Sequence, residues 1–261
     1  MILAADNLTA SRPSVRRALQ ERDGAFLGDL CSRLAAAGAQ WLDLNPGYLS
    51  QAARADTWRF LVQTAEAACD LTLMLDAAAP ADLELALGFC TRPPVLNMAT
   101  AQEARLGPVL DLAAHHGLSV VAATMTAAVP PSAEERLALA ALIGQEAARR
   151  GISGQRLILD PMVMPLALPG GEAHAAAVLQ VLRALPQVLD PPPARLIALS
   201  NLTTATAGAR AGFAAGPFLA AAWGAGLEIA LLDVLDPDLQ KTLRLLGVFA
   251  GRGVFAPGEF A

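Results

Sequence analysis

Lysine is almost missing from this chain: Lys241 is its single example, and no run of basic residues is long enough to track a phosphate backbone. With charged residues at 16% and a formal net charge of -5, nucleic acid is excluded as an expected partner. Cysteine is also scarce. Cys31, Cys69 and Cys90 share no paired spacing, and their odd number argues against a disulfide framework. Together with three histidines they make no zinc set, so no bound metal is expected. Neither G-x-G-x-x-G nor a Walker sequence occurs, which removes the usual dinucleotide and P-loop sites.

The start, MILAADNLTA, has no basic n-region and no long apolar run, and is expected to be a first strand, not a signal peptide. The most membrane-like stretch, GPFLAAAWGAGLEIALLDVL, is cut by Gly224 and Gly226 and carries Glu228 and Asp233. It predicts a helix followed by a strand, with no membrane span. A cytoplasmic location is the expectation.

What is abundant is apolar. The 261 residues are 54% hydrophobic, enough to bury a large core. So low a charge density also suggests a surface covered by a second copy, a homodimer. Apolar runs at 2–5, 40–45, 71–75, 94–98, 118–124, 156–160, 195–200 and 227–233 read as strands. Between them, helical spacing of apolar positions appears near 23–37, 51–68, 80–89, 101–116, 133–150, 172–185, 217–225 and 236–249. Eight strand-helix units without a low-complexity linker predict an α/β chain forming a single (β/α)8 TIM barrel over residues 1–261.

Barrel enzymes build their sites at the carboxyl ends of the strands. Here those ends are polar: Asp43 and Asn45, Asp76, Asn97, Thr124 and Thr126, Asp160, Ser200 and Asn201. One such residue alone reads equally well as a helix cap or turn former. As a set they read as a rim. Residues two apart on a strand share a face, so Asp43 and Asn45 are expected to point together into the barrel. Carboxylates and amides with few cations suit a neutral planar heterocycle with adjacent N–H donors, such as a pterin.

The stretches RRALQERD (16–23), LDLNPG (42–47), LTLMLD (71–76), VLNMAT (95–100), RLILDPMVMP (156–165) and ALSN (198–201) resemble those of methyltetrahydrofolate:corrinoid protein methyltransferases. These are pterin-binding barrels related in fold to dihydropteroate synthase. The resemblance runs in order along essentially the whole chain. It implies tetrahydrofolate or 5-methyltetrahydrofolate as substrate and a corrinoid (cobalamin) carried by a partner protein. By motif, Asp76, Asn97 and Asp160 would anchor the pterin edge, and Asn201 would sit beside N5, so that Asn201 and Asp76 are the expected catalytic pair. Asp43, Asn45, Ser200, Asp6, Thr126 and Arg210 would complete the site, with Asn45 supporting more than binding. The corrinoid-binding pattern of Asp, one residue, His, two residues and Gly is missing: DLAAHHG (111–117) has Ala113 at the histidine position. His115 and His116 read instead as the end of a helix before Gly117.

The chain also departs from the family. Its first strand has Ala5-Asp6-Asn7-Leu8-Thr9 where Gly-Glu-Arg-Ile-Asn is usual, and Thr126 replaces the asparagine of Thr-Met-Asn. Two rival readings follow: a dihydropteroate synthase-like enzyme, although LDPMVMPLALPGG (159–171) lacks that family's lysine, and a folate-binding barrel without catalysis. A third treats GARAGFAAG (208–216) as a phosphate cradle.

Overall fold

This computed structural model describes residues 1–204, 210–255 and 258, the side chains of 210–212 excepted. Its strands are β1 (Ile2–Thr9), β2 (Trp41–Asn45), β3 (Thr72–Asp76), β4 (Val95–Thr100), β5 (Ser119–Ala123), β6 (Leu157–Asp160), β7 (Ala194–Ala198) and β8 (Ile229–Leu232). Each pairs in parallel with the next, and β8 closes on β1. The predicted (β/α)8 barrel is therefore the observed fold. Around it lie α1 (Pro13–Glu21), α2 (Gly24–Ala36), α3 (Arg54–Ala68), α4 (Pro80–Leu87), α5 (Glu103–His116), α6 (Ala133–Ala148), α7 (Gly171–Val188), α8 (Arg210–Gly224) and α9 (Pro237–Phe249).

Alternation along the strands sorts the core into two compartments. Ala4, Met74, Val95, Val121, Ile158, Leu196, Ile229 and Leu231 fill the barrel's interior, with Trp41 packed against them. Their neighbours in sequence, among them Ala5, Leu42, Leu75, Leu96, Leu159 and Leu232, belong to the larger cluster between sheet and helices. Because the interior is apolar at its lower levels, a polar residue two positions further on emerges at the mouth.

Helix ends follow local chemistry. Ser132 and Glu135 form a reciprocal capping box on α6, and Pro13, Pro80 and Pro237 open α1, α4 and α9. Gly117 closes α5 at φ 67°, directly after His115 and His116, as the sequence predicts.

Four details differ from the sequence reading. Strand β1 runs on to Thr9, because an irregularity in its register with β2 between Ala5 and Leu8 keeps it paired past the apolar run. Helix α1 precedes the first predicted helix, near 23–37, in a stretch where no helix is predicted, and Pro13 opens it because proline suits a first helical turn. Strand β7 ends at Ala198, and Ser200 and Asn201 ride on the 3-10 turn that follows it. Helix α8 begins at Arg210 and carries Pro217 inside it, where the sequence suggests a start at Pro217. No helix of the described residues is long and apolar enough to cross a membrane.

Candidate active site at the barrel mouth

The period-two pattern puts one polar residue after another at the carboxyl rim. Asp6 follows Ala4, Asp43 and Asn45 follow Trp41, Asp76 follows Met74, Asn97 follows Val95, and Asp160 follows Ile158. Together with Ser200 and Asn201 they line one cavity of about 460 Å³. Asp43 and Asn45 thus both face inward. One expected site residue is not brought to this wall: Thr126 is exposed in the loop after β5, its N–H donating to the Ala128 carbonyl. The side chain of Arg210 lies outside the described residues.

The rim residues hold one another in pairs. Asn45 Nδ2 donates to Asp76 Oδ2 at 2.7 Å while its Oδ1 accepts from the Gly47 N–H at 2.9 Å, so the amide is clamped from both ends. Asn97 Nδ2 donates to Asp43 Oδ1 at 3.3 Å. Asp160 Oδ1 accepts the Met162 N–H at 2.8 Å, and the buried Thr124 rests its N–H on the Asp160 carbonyl at 2.9 Å. The Asn201 amide makes no side-chain hydrogen bond among the described residues and remains available to a ligand.

Sequence reasoning overlooked several residues. Arg12 reaches back from the start of α1 to Asp233 Oδ2 at 2.9 Å and Asp6 Oδ1 at 3.5 Å. Asn7 Nδ2 donates to Asp233 Oδ1 at 2.6 Å, and its Oδ1 accepts from the Val234 N–H. Asp233 closes the apolar run 227–233, so extending the strand-end census to the eighth strand would have found it; nothing local marks Arg12. Two further arginines support the loops. Arg105 donates to the carbonyls of Met98, Ala77 and Ala78. Arg136, buried in α6, donates to those of Pro130, Pro161 and Met162 and meets His174 Nδ1 at 2.6 Å.

Crowding carboxylates into a desolvated mouth opposes their ionisation. Burial, then the neighbouring Asp76 charge, drives Asp43 well above the usual carboxylate range against the Asn97 hydrogen bond. Burial lifts Asp76 to about 6, opposed by the Asn45 amide and by Arg105. Burial likewise lifts Asp160 to about 7, opposed by the Met162 N–H and Arg136. Asp6 is raised by burial despite the Ser200 hydrogen bond and Arg12. Asp233 goes the other way: its burial is outweighed by the donors from Asn7 and Arg12. The cavity therefore offers strong acceptors that lack enough protein donors. A flat ligand rich in N–H groups supplies what is missing.

Comparison with solved structures places this architecture. Dihydropteroate synthase from Xanthomonas albilineans in complex with 7,8-dihydropteroate superposes with a TM-score of 0.67, covering 97% of this chain and 94% of that one at 20% identity. The enzyme from Stenotrophomonas maltophilia with active-site-bound imidazole gives 0.68, covering 98% and 94% at 17% identity. The chain has the dihydropteroate synthase fold. In sequence it is similar to the methylcorrinoid:tetrahydrofolate methyltransferase of Eubacterium limosum, at 25% identity over 169 residues. That match takes in 64% of this chain and 62% of the relative's own length. The resemblance read from the short motifs thus meets both a relative by sequence and neighbours by fold. No family model matches the chain.

Proposed function

We propose that this barrel binds tetrahydrofolate by its pterin ring and transfers a methyl group between N5 and the cobalt of a corrinoid carried by a partner protein. The observation that carries the reading is the mouth itself: the buried Asp6, Asp43 and Asp160 with Asp76, short of donors, beside an asparagine amide that makes no side-chain hydrogen bond among the described residues. A pterin has a 2-amino group beside a ring N–H, and two such donors match the two oxygens of one carboxylate. Asp160 and Asp76 are the receptors for that edge, Asn97 and Asp43 its neighbours, and Asn45 positions Asp76. Asn201 faces N5.

In the direction away from folate, the N5–CH3 bond breaks, the cobalt(I) electron pair forms the carbon–cobalt bond, and N5 ends with a proton. A tertiary amine leaves poorly, so any group that favours positive character at N5 lowers the barrier. An amide does not ionise at neutral pH, and Asn201 acts by a fixed dipole, or by holding a water that carries the proton. The corrinoid is a substrate delivered by the partner.

A dihydropteroate synthase reaction must neutralise a departing pyrophosphate. Arg12 is the one cationic side chain on the described wall of the cavity, and Asp233 and Asp6 already engage it. Lys241 is exposed on α9, on the outer helical layer. Those facts favour methyl transfer over that alternative. The test is spectral: tetrahydrofolate and free methylcobalamin are mixed with the protein, and loss of the cobalt–carbon chromophore is followed. Chromophore loss supports the reading; tight folate binding without transfer to or from any corrinoid protein would favour a non-catalytic binder; absence of folate binding would end it.

A further inference from the structure

A second cavity, of about 680 Å³, abuts the first along Thr9, Ser11 and Asn45. Its character is opposite. Four aspartates line the inner cavity, whereas the outer one has no carboxylate side chain on its wall and two guanidinium groups, Arg16 and Arg22. This occurs in a chain whose net charge is -5. Arg16 and Arg22 join no ion pair among the described residues, while Arg12, Arg54, Arg92, Arg150 and Arg195 all do.

The two arginines are placed by structure, not by chance exposure. Arg16 lies on α1 one turn before Leu19 and Gln20, so the three share one helix face and all reach this wall. Arg22 ends the same helix at φ 57°. Its Nη2 donates to Thr57 Oγ1 at 3.2 Å, and its guanidinium stands 5.2 Å from the Phe60 ring centre. The same wall also carries apolar and aromatic surface, Leu19, Leu49 and the nearly fully exposed Tyr48.

We propose that this outer cavity is the subsite for the aryl-amide dicarboxylate tail of a folate, the aryl ring lying by Tyr48 and Leu49 and the carboxylates meeting Arg16 and Arg22. The inner cavity supplies acceptors and the adjoining outer one supplies apolar surface and cations, which matches a molecule with a donor-rich ring at one end and an aryl group and carboxylates at the other. The inference rests on the pterin reading of the inner cavity. It adds that α1, beyond shaping the barrel, recognises the part of the substrate that never reacts.

Calorimetry with two ligands separates the cavities: tetrahydrofolate, and 6-methyltetrahydropterin, which has the ring but no tail. In Arg16→Glu, tetrahydrofolate is expected to bind about tenfold more weakly, the scale of exposed ion pairs lost and reversed, with the deficit shrinking at high salt. The tail-less pterin is expected to bind variant and wild type alike, which also reports an intact fold. Arg22→Gln should show the same split, with its unfolding midpoint measured because the Thr57 contact is altered. Parallel loss of both ligands, or no change in either, overturns the subsite while leaving the pterin reading standing. A wild-type protein that binds neither ligand overturns both.

Discussion

Asn45 Nδ2 donates to Asp76 Oδ2 at 2.7 Å across two adjacent parallel strands, while the Gly47 N–H fixes the other end of the same amide. The bond works against burial. It is the first of the influences that keep Asp76 from rising beyond about 6, and so it helps keep a carboxylate ionised where a ligand's donors are expected.

Replacing that amide tests the role. In Asn45→Ala the Asp76 carboxyl should titrate at higher pH, moving the acid limb of the folate-binding profile upward with little loss of affinity at pH 8.5. Calorimetry across pH 5.5–8.5 would show it. An unmoved limb would mean that Asp76 ionisation does not govern binding.

Folate affinity in the wild type should fall on acidification. Donors on the ligand favour the ionised carboxylate, so a group titrating at about 7, as Asp160 does, is roughly tenfold less ionised at pH 6 than at pH 8. Affinity should drop by about that factor, with proton release on binding near pH 6.5. Equal affinity at both pH values would show that the ligand binds without needing the charge.

Asp160→Asn keeps the shape and removes the charge. Binding is expected to weaken by one to two orders of magnitude, the scale of charge-assisted hydrogen bonds at roughly 1.5–3 kcal/mol. Stability should change the other way. The folded carboxyl titrates at about 7 instead of 3.8, so its stabilising contribution is complete below pH 4 and is lost as pH rises through 7. Urea unfolding should therefore find the variant more stable than wild type at pH 8, with the gap closing toward pH 5. A destabilised variant at pH 8 would contradict the desolvation account.

Asn201→Ala should separate rate from affinity. If its dipole acts on charge developing at N5, kcat falls by about two orders of magnitude, from the ~3 kcal/mol of an aimed donor, with KM nearly unchanged. Matching losses in affinity and rate would make it an ordinary binding contact.

Arg136 acts at a distance from the ligand. Its guanidinium satisfies the carbonyls of Pro161 and Met162, and the Met162 N–H in turn holds Asp160. Arg136→Met leaves buried acceptors unpaired and should cost about 2–4 kcal/mol of stability. Folate affinity should fall as well, with Arg136→Lys restoring part of each. Normal affinity in a destabilised Arg136→Met would confine this arginine to the fold.

Much of the barrel was legible from its residues. The eight strands and most helices follow from alternating and helical spacing, because each depends on neighbours two to four positions apart. The same logic brought Asp43, Asn45, Asp76, Asn97 and Asp160 to one rim, since an apolar barrel interior forces the polar residue two places later to the mouth. Ser200 and Asn201 reached it by a tight turn instead, which alternation does not describe.

Tertiary structure alone decided the rest. Asn7 and Asp233 are 226 positions apart and meet because β8 closes on β1. Arg12 joins them because a turn, closed by its N–H on the Thr9 carbonyl, brings it back beside the end of β1, and Arg16 and Arg22 reach a common cavity from α1. The ionisation of the aspartates was equally hidden. A residue's type is written in the sequence, but its charge state depends on how much water the closed barrel excludes and on which donors arrive from distant strands.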